Sequence, residues 1–285
     1  MNEYGQIKSI AVRRVQQAFV SQQSIDQQWQ GLNYHAQPNF DAAVEEYESF
    51  IQMLKSTGGE VVELQGDDAL SLDGIYVRDS LIVSPRGLIK ASMGKTERDV
   101  EPSINADELT ARGFNIIGEI VAPGKVEGGD LVWLDDKTLL AAIGYRTNQQ
   151  GLAQLAKILG DDVDVHGFDM PHYKGAGDVF HLMSVLSPVD EKLAVVYLPL
   201  MPVRLVQLLE ARGFGFIEVP QEEFDSMGCN VLAIGPSHVV MVAGNPITQQ
   251  RIQDAGCKVE VLKADEISRK GEGGPTCLTR PLVRG

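Results

Sequence analysis

Cys277 closes the run Gly273-Gly274-Pro275-Thr276-Cys277, a glycine-rich turn that can present a thiol and bare backbone N–H groups together at a loop tip. A cysteine attacks as its thiolate, so such a turn is a natural seat for a nucleophile. Upstream lie His181, a general acid for a leaving amine and then a base for water, and the carboxylates Asp79, Glu127 and Asp130. Carboxylates gathered around a thiol raise its pKa unless a cation stands between them. The combination therefore favours a positively charged substrate, and a planar guanidinium with five N–H donors matches a ring of carboxylate acceptors. Arg98, with Glu101 three residues on, and Arg146 in Gly144-Tyr145-Arg146-Thr147-Asn148 are candidates to hold a substrate carboxylate; the alternative for each is a rim ion pair.

An internal repeat is what would bring residues so far apart in sequence together. Five copies of amphipathic helix, glycine and strand run through the chain: Tyr47 to Leu64 around Gly58 and Gly59, Glu108 to Ile120 around Gly113, Leu152 to Val165 around Gly160, Val206 to Val219 around Gly213, and Gln250 to Leu262 around Gly256. Each glycine falls where a helix C-terminus needs a left-handed residue, just before an apolar run. A polar motif follows every copy and delivers one residue: Asp79, Glu127, His181, Asn230 and Cys277 in turn. Alternating helices and strands repeated at a period of about 50 residues, with no flexible linker between copies, predict one circular α/β unit whose equivalent positions converge on its axis. By the same comparison Cys257 belongs to the scaffold and Cys229 is open to either role.

Single elements follow from local patterns. Ile7 to Val12 alternates as a strand, Phe40 to Leu54 carries helical spacing, and Leu131 to Leu134 with Thr138 to Ile143 form a hairpin around Asp135-Asp136-Lys137. Gly74 to Val83 alternates as a strand, with Asp79 on or just beyond a strand. His181 and Asn230 stand at strand entries, and Ser24 to Asn39 forms a loop or lid.

Composition narrows the class. Of the 285 residues, 44% are hydrophobic and 22% charged, enough for a large core. A net charge of -14 argues against a nucleic-acid partner. No export signal is visible, and the apolar stretch Leu193 to Val203, broken by Pro199 and Pro202, is far below the roughly 20 residues of a membrane helix. Three cysteines form no disulfide framework, so the expected location is the cytoplasm. No phosphate loop, dinucleotide fingerprint or serine elbow is present. A metal cluster of His166, Asp169, His172, Asp178 and His181 is the competing reading, but no HExxH or paired CxxC supports it. No metal and no organic cofactor are expected.

Taken together, Glu127-Gly128-Gly129-Asp130, Arg146-Thr147-Asn148, His181-Leu182, Gly228-Cys229-Asn230 and Gly273-Gly274-Pro275-Thr276-Cys277-Leu278 resemble the guanidine-modifying pentein superfamily, in its dimethylarginine dimethylaminohydrolase and arginine deiminase branch. The resemblance spans about Ile7 to Leu282. It implies a five-bladed α/β propeller of ββαβ modules, with residues 1–285 forming one catalytic domain. It implies that Cys277 attacks the guanidinium carbon, that Asp79 and Glu127 grip the guanidinium nitrogens, and that His181 protonates the departing amine and then activates water. Catalytic roles thus fall to Cys277, His181 and Glu127, and substrate binding to Asp79, Asp130, Arg98, Arg146 and Asn230. Family habit suggests a homodimer.

Three positions depart from one branch or the other. Tyr76-Val77-Arg78-Asp79 is similar to the deiminase strand, Ser184 stands where deiminases and amidinotransferases carry an aspartate, and Glu272 stands where deiminases often offer an arginine. The expected activity is hydrolysis of N-methylated arginine to citrulline and an amine. Alternatives are an arginine deiminase or dihydrolase, an amidinotransferase, and a pentein-fold binding protein.

Overall fold

The computed structural model describes residues 1–285 and consists of five three-stranded sheets. The first strand, β1 (Ile7–Val12), leads through two short helices, α1 (Val15–Ala18) and α2 (Gln22–Gln28), to the long α3 (Phe40–Lys55) and β2 (Glu60–Glu63). Four ββαβ modules follow. They are β3 (Leu81–Ser84), β4 (Gly87–Lys90), α4 (Glu101–Ala111) and β5 (Ile116–Glu119); then β6 (Leu131–Asp135), β7 (Thr138–Ile143), α5 (Gln149–Leu159) and β8 (Asp164–Asp169). The last two are β9 (Leu186–Asp190), β10 (Leu193–Val196), α6 (Val203–Ala211) and β11 (Gly215–Glu218); then β12 (Leu232–Gly235), β13 (His238–Val242), α7 (Pro246–Asp254) and β14 (Lys258–Leu262). The C-terminal β15 (Arg280–Arg284) pairs antiparallel with β1, which itself pairs parallel with β2. That pairing completes the fifth module from both chain ends.

Every module repeats one plan: an antiparallel hairpin, a crossover helix, and a third strand parallel to the second. Strands with both faces covered are apolar throughout, as in the buried run Leu139 to Ala142 of β7. The helices bury one stripe each, exemplified by Leu152, Leu155 and Leu159 of α5 and by Tyr47, Phe50, Ile51 and Leu54 of α3. Asn39 caps α3 and Asn148 caps α5, each side chain accepting a backbone N–H of the first turn. The five repeat glycines 58, 113, 160, 213 and 256 all have φ between 76° and 92°. That left-handed backbone is what the turn from each helix into its strand requires. The five-bladed propeller is therefore what the chain forms.

Two local readings differ from the structure. Residues 72–75 form a 3-10 turn and β3 begins only at Leu81, so Asp79 precedes its strand. His181 opens a second 3-10 turn, Leu182–Ser184, before β9. Both segments have strand-like alternation, but the chain there turns to aim polar side chains inward. The Ser24–Asn39 segment begins in α2 and then passes over the site in turns.

Candidate active site

Each delivered residue stands a few positions before the first strand of a module: Asp79 before β3, Glu127 before β6, His181 before β9, Asn230 before β12 and Cys277 before β15. All five are buried. His181 Nε2 lies 2.7 Å from Glu127 Oε2, and its Nδ1 lies 3.9 Å from Asp79 Oδ1. Gly129 makes this approach feasible. A Cβ there would sit 2.4 Å from His181 Nδ1 and 2.9 Å from Asp79 Oδ1, while its own N–H donates to Asp79 Oδ1 at 2.9 Å.

The electrostatics keep the imidazole protonated and the thiol neutral. Burial pushes the His181 imidazolium down, but Asp130, Asp79 and the hydrogen bond with Glu127 outweigh it and raise its pKa to about 9. Burial also opposes Glu127 ionisation, yet His181, Arg146 and Arg98 hold its carboxyl well below the usual range. Burial pushes the Cys277 thiol up, and the Asp79 charge adds to that; the hydrogen bonds with Thr276 and Asn230 and the Arg78 charge act the other way. Asp79, Glu127 and His181 bring one donor atom each within 4.8 Å of one another. With the imidazole held protonated and bonded to Glu127, the trio is arranged to move a proton. The residues from His166 to Asp178 do not join His181 in a ligand set; His172 Nδ1 pairs instead with Tyr145 OH at 2.7 Å on the surface.

Cys277 lines a pocket together with Asp73, Asp79, Arg98, Arg146 and Asn33 of the Ser24–Asn39 segment. Asp73 is a buried carboxylate from the 3-10 turn before Asp79, and the sequence reading missed it. The only signal was its spacing, six residues before Asp79 and two after Ser71, in a stretch that read as strand. Lys95 Nζ lies 2.6 Å from Asp73 Oδ2 and donates to Leu32 O at 2.8 Å, tying the Ser24–Asn39 segment to the site. His35 N donates to Lys270 O at 2.7 Å, and His35 Nε2 is 2.7 Å from Glu272 Oε1, so the segment docks on the loop that carries Cys277.

Other expected residues take different positions. Glu127 spends its oxygens on His181 Nε2 and on the N–H groups of Gly94 and Lys95, which makes it an orienting group for the imidazole. Asp130 does not line the pocket; it accepts the Leu182 N–H at 3.2 Å, and burial raises its pKa to about 6. Arg98, expected at a substrate carboxylate, is engaged elsewhere: it donates to Asp79 Oδ2 at 2.7 Å, to both oxygens of Glu101 and to Tyr76 O. The reason is that two buried carboxylates demand a counter-charge. Asn230 holds the nucleophile loop, its Oδ1 accepting from Thr276 N and Oγ1 and its Nδ2 reaching Cys277 Sγ at 3.6 Å. Arg146 keeps only long contacts of 3.4 and 3.5 Å with Glu127 and is the freer of the two arginines. Cys229 and Cys257 are core residues.

A five-module α/β ring that sets a thiol with Asp73 and Asp79 in one pocket, and a Glu127-paired imidazole against Asp79, defines a guanidine-modifying pentein. The profile of the family described as N,N dimethylarginine dimethylhydrolase, eukaryotic, matches residues 15–284. The chain belongs to this dimethylarginine dimethylhydrolase family. It is 28% identical over 246 residues to the N(G),N(G)-dimethylarginine dimethylaminohydrolase of Pseudomonas aeruginosa, covering 85% of this chain and 89% of that one. Among solved structures it is similar to a mutant of the Pseudomonas aeruginosa enzyme complexed with citrulline, at a TM-score of 0.78 and 24% identity over 98% of this chain and 100% of that one. It also superimposes on the substrate-bound N-terminal domain of the cyanobacterial arginine dihydrolase ArgZ, at a TM-score of 0.81 and 18% identity over 97% and 98% of the two chains. These last two likenesses concern the fold.

Proposed function

We propose that this protein is a cysteine hydrolase that cleaves a C–N bond of a guanidino substrate, an N-methylated arginine, to give a ureido product and an amine. The single observation that carries the reading is a buried thiol held neutral next to the Asp79 carboxylate. Burial and the Asp79 charge hold the Cys277 thiol up, and Asp73 lines the same pocket, with Lys95 on Asp73 and Arg98 on Asp79. A guanidinium bound between those carboxylates and the sulfur cancels the like-charge effect that holds the thiol up, so the substrate itself favours the thiolate.

The chemistry then runs in two halves. Cys277 releases its proton to solvent and its sulfur bonds to the guanidinium carbon. The imidazolium of His181 gives a proton to the departing amine, the C–N bond breaks, and a thiouronium remains on Cys277. Neutral His181 next takes a proton from water as the hydroxide adds to that carbon. The C–S bond breaks, the hydroxyl proton passes to the departing sulfur, and the neutral ureido product leaves a Cys277 thiol and the restored imidazolium. Glu127 keeps the imidazole oriented throughout, and Arg146 is placed to meet a substrate carboxylate.

N-Methylated arginine is preferred because the deiminase-like feature of the sequence lies outside the pocket: Arg78 donates to Thr276 O at 2.6 Å and turns away from the substrate space. Ser184 Oγ meanwhile accepts the His181 N–H at 3.1 Å and supplies no carboxylate. The reading includes one catalytic unit over residues 1–285, acting in the cytoplasm, with a homodimer as its assembly.

Labelling kinetics test the trigger. A cationic haloacetamidine should modify Cys277 much faster than neutral iodoacetamide at pH 7, and Asp79→Asn should reduce that preference. Equal rates for the two reagents would overturn the substrate-assisted thiol.

A further inference from the structure

A second polar cavity lies away from the pocket, between β3, β6 and β15, and is closed by Met1 to Glu3. Three arginines line it: Arg78, Arg280 and Arg284. Arg78 and Arg280 are 1% and 6% exposed. Four of their guanidinium nitrogens, Arg78 Nη2, Arg280 Nε and both Nε and Nη2 of Arg284, are buried without a hydrogen-bond partner. The one carboxylate that lines the cavity is Glu3, and its Oε2 stands 3.5 Å from Arg78 Nη1, a long contact for an ion pair; Asp79 acts on Arg280 from outside the cavity. Within the cavity lining three positive charges therefore face one negative charge.

Such a cluster is costly as it stands, because buried charged groups are ordinarily paired and buried N–H groups ordinarily satisfied. Burial and the neighbouring Arg78 lower Arg280 to about 9, and burial is also the main cause that lowers Arg284 to about 10. Both remain cationic at neutral pH. The cavity is about 20 Å³, room for one water-sized occupant, and Leu131 and Trp133 form apolar walls beside the guanidinium groups. A monatomic anion fits that space and accepts from several N–H donors at once.

We propose that this three-arginine cavity is a binding site for one halide ion. The cavity adjoins the catalytic loop, since Arg78 donates to Thr276 O, next to Cys277, and Arg280 follows Cys277 three residues on. The site is independent of the hydrolase reading and would exist in a binding protein of the same fold.

Bromide and chloride are the probes. In crystals of the wild-type protein soaked in sodium bromide, an anomalous peak between the three guanidinium groups is expected. Thermal unfolding in sodium chloride against sodium methanesulfonate at equal ionic strength should show a saturable chloride-specific rise in Tm on the order of a few degrees. Arg280→Met should abolish that increment. An empty or water-filled cavity in the bromide map overturns the proposal, as does a chloride increment that is unchanged in Arg280→Met. Should that variant fail to fold, the bromide map of the wild-type protein decides alone.

Discussion

His181 Nε2 and Glu127 Oε2 stand 2.7 Å apart in a buried pair, and that contact helps keep the imidazole protonated far above its ordinary range. Replacing the charge while keeping the shape isolates its effect. Glu127→Gln should lower kcat by about 10² to 10⁴, the usual worth of a positioned general acid. Its alkaline limb in the pH profile of kcat should also move to lower pH. An unmoved limb would remove Glu127 from the proton-transfer unit.

The same pair governs stability on the alkaline side. The folded pKa of His181 is about 9 against an ordinary 6.5, so its stabilisation is full below pH 6.5 and is lost as pH rises through 9. His181→Asn should flatten the wild-type decline in Tm across that window. Glu127 has the opposite sign: its lowered pKa gives stability that is present above about pH 4.5 and lost as pH falls. Parallel pH curves for wild type and His181→Asn between pH 6.5 and 9 would contradict this assignment.

Arg98 is a structural counter-ion more than a substrate contact. Arg98→Met leaves Asp79 and Glu101 buried without their shared cation and should cost about 3–5 kcal/mol of unfolding free energy. Chemical denaturation measures it. A loss below about 1 kcal/mol, the range of an exposed pair, would show that the network does not support the site.

Asp73 is expected to bind the guanidinium together with Asp79. Asp73→Asn removes one charge-assisted contact, about 1.5–3 kcal/mol, and should raise KM for a guanidino substrate about tenfold or more with a smaller change in kcat. An unchanged KM would leave Asp73 as an anchor for Lys95 alone.

The ring was legible in the sequence because its modules share a physical necessity. Five helices must turn sharply into strands, and the left-handed glycines 58, 113, 160, 213 and 256 mark the places. Equivalent positions after each module then gave Asp79, Glu127, His181, Asn230 and Cys277. Their division of labour was not legible, since it depends on burial across modules. Arg98 and Glu101 look like a surface pair at three-residue spacing; only the approach of Asp79 from the preceding turn shows the network. Asp73 was hidden because Ile75, Val77, Leu81 and Val83 imitate strand alternation through a segment that begins as a 3-10 turn. The unpaired arginines of β15 likewise gave no signal, as the strand alternation there conceals which face is enclosed.

Product analysis tests the central claim most directly. The protein would be incubated with arginine, monomethyl- and dimethylarginine, agmatine and citrulline, with Cys277→Ser in parallel, and the products identified by mass spectrometry. The account predicts citrulline together with methylamine or dimethylamine, formed by the wild-type protein and absent from Cys277→Ser. Citrulline and ammonia from arginine alone would contradict the methylated substrate, and no Cys277-dependent product from any of these compounds would contradict the hydrolase itself.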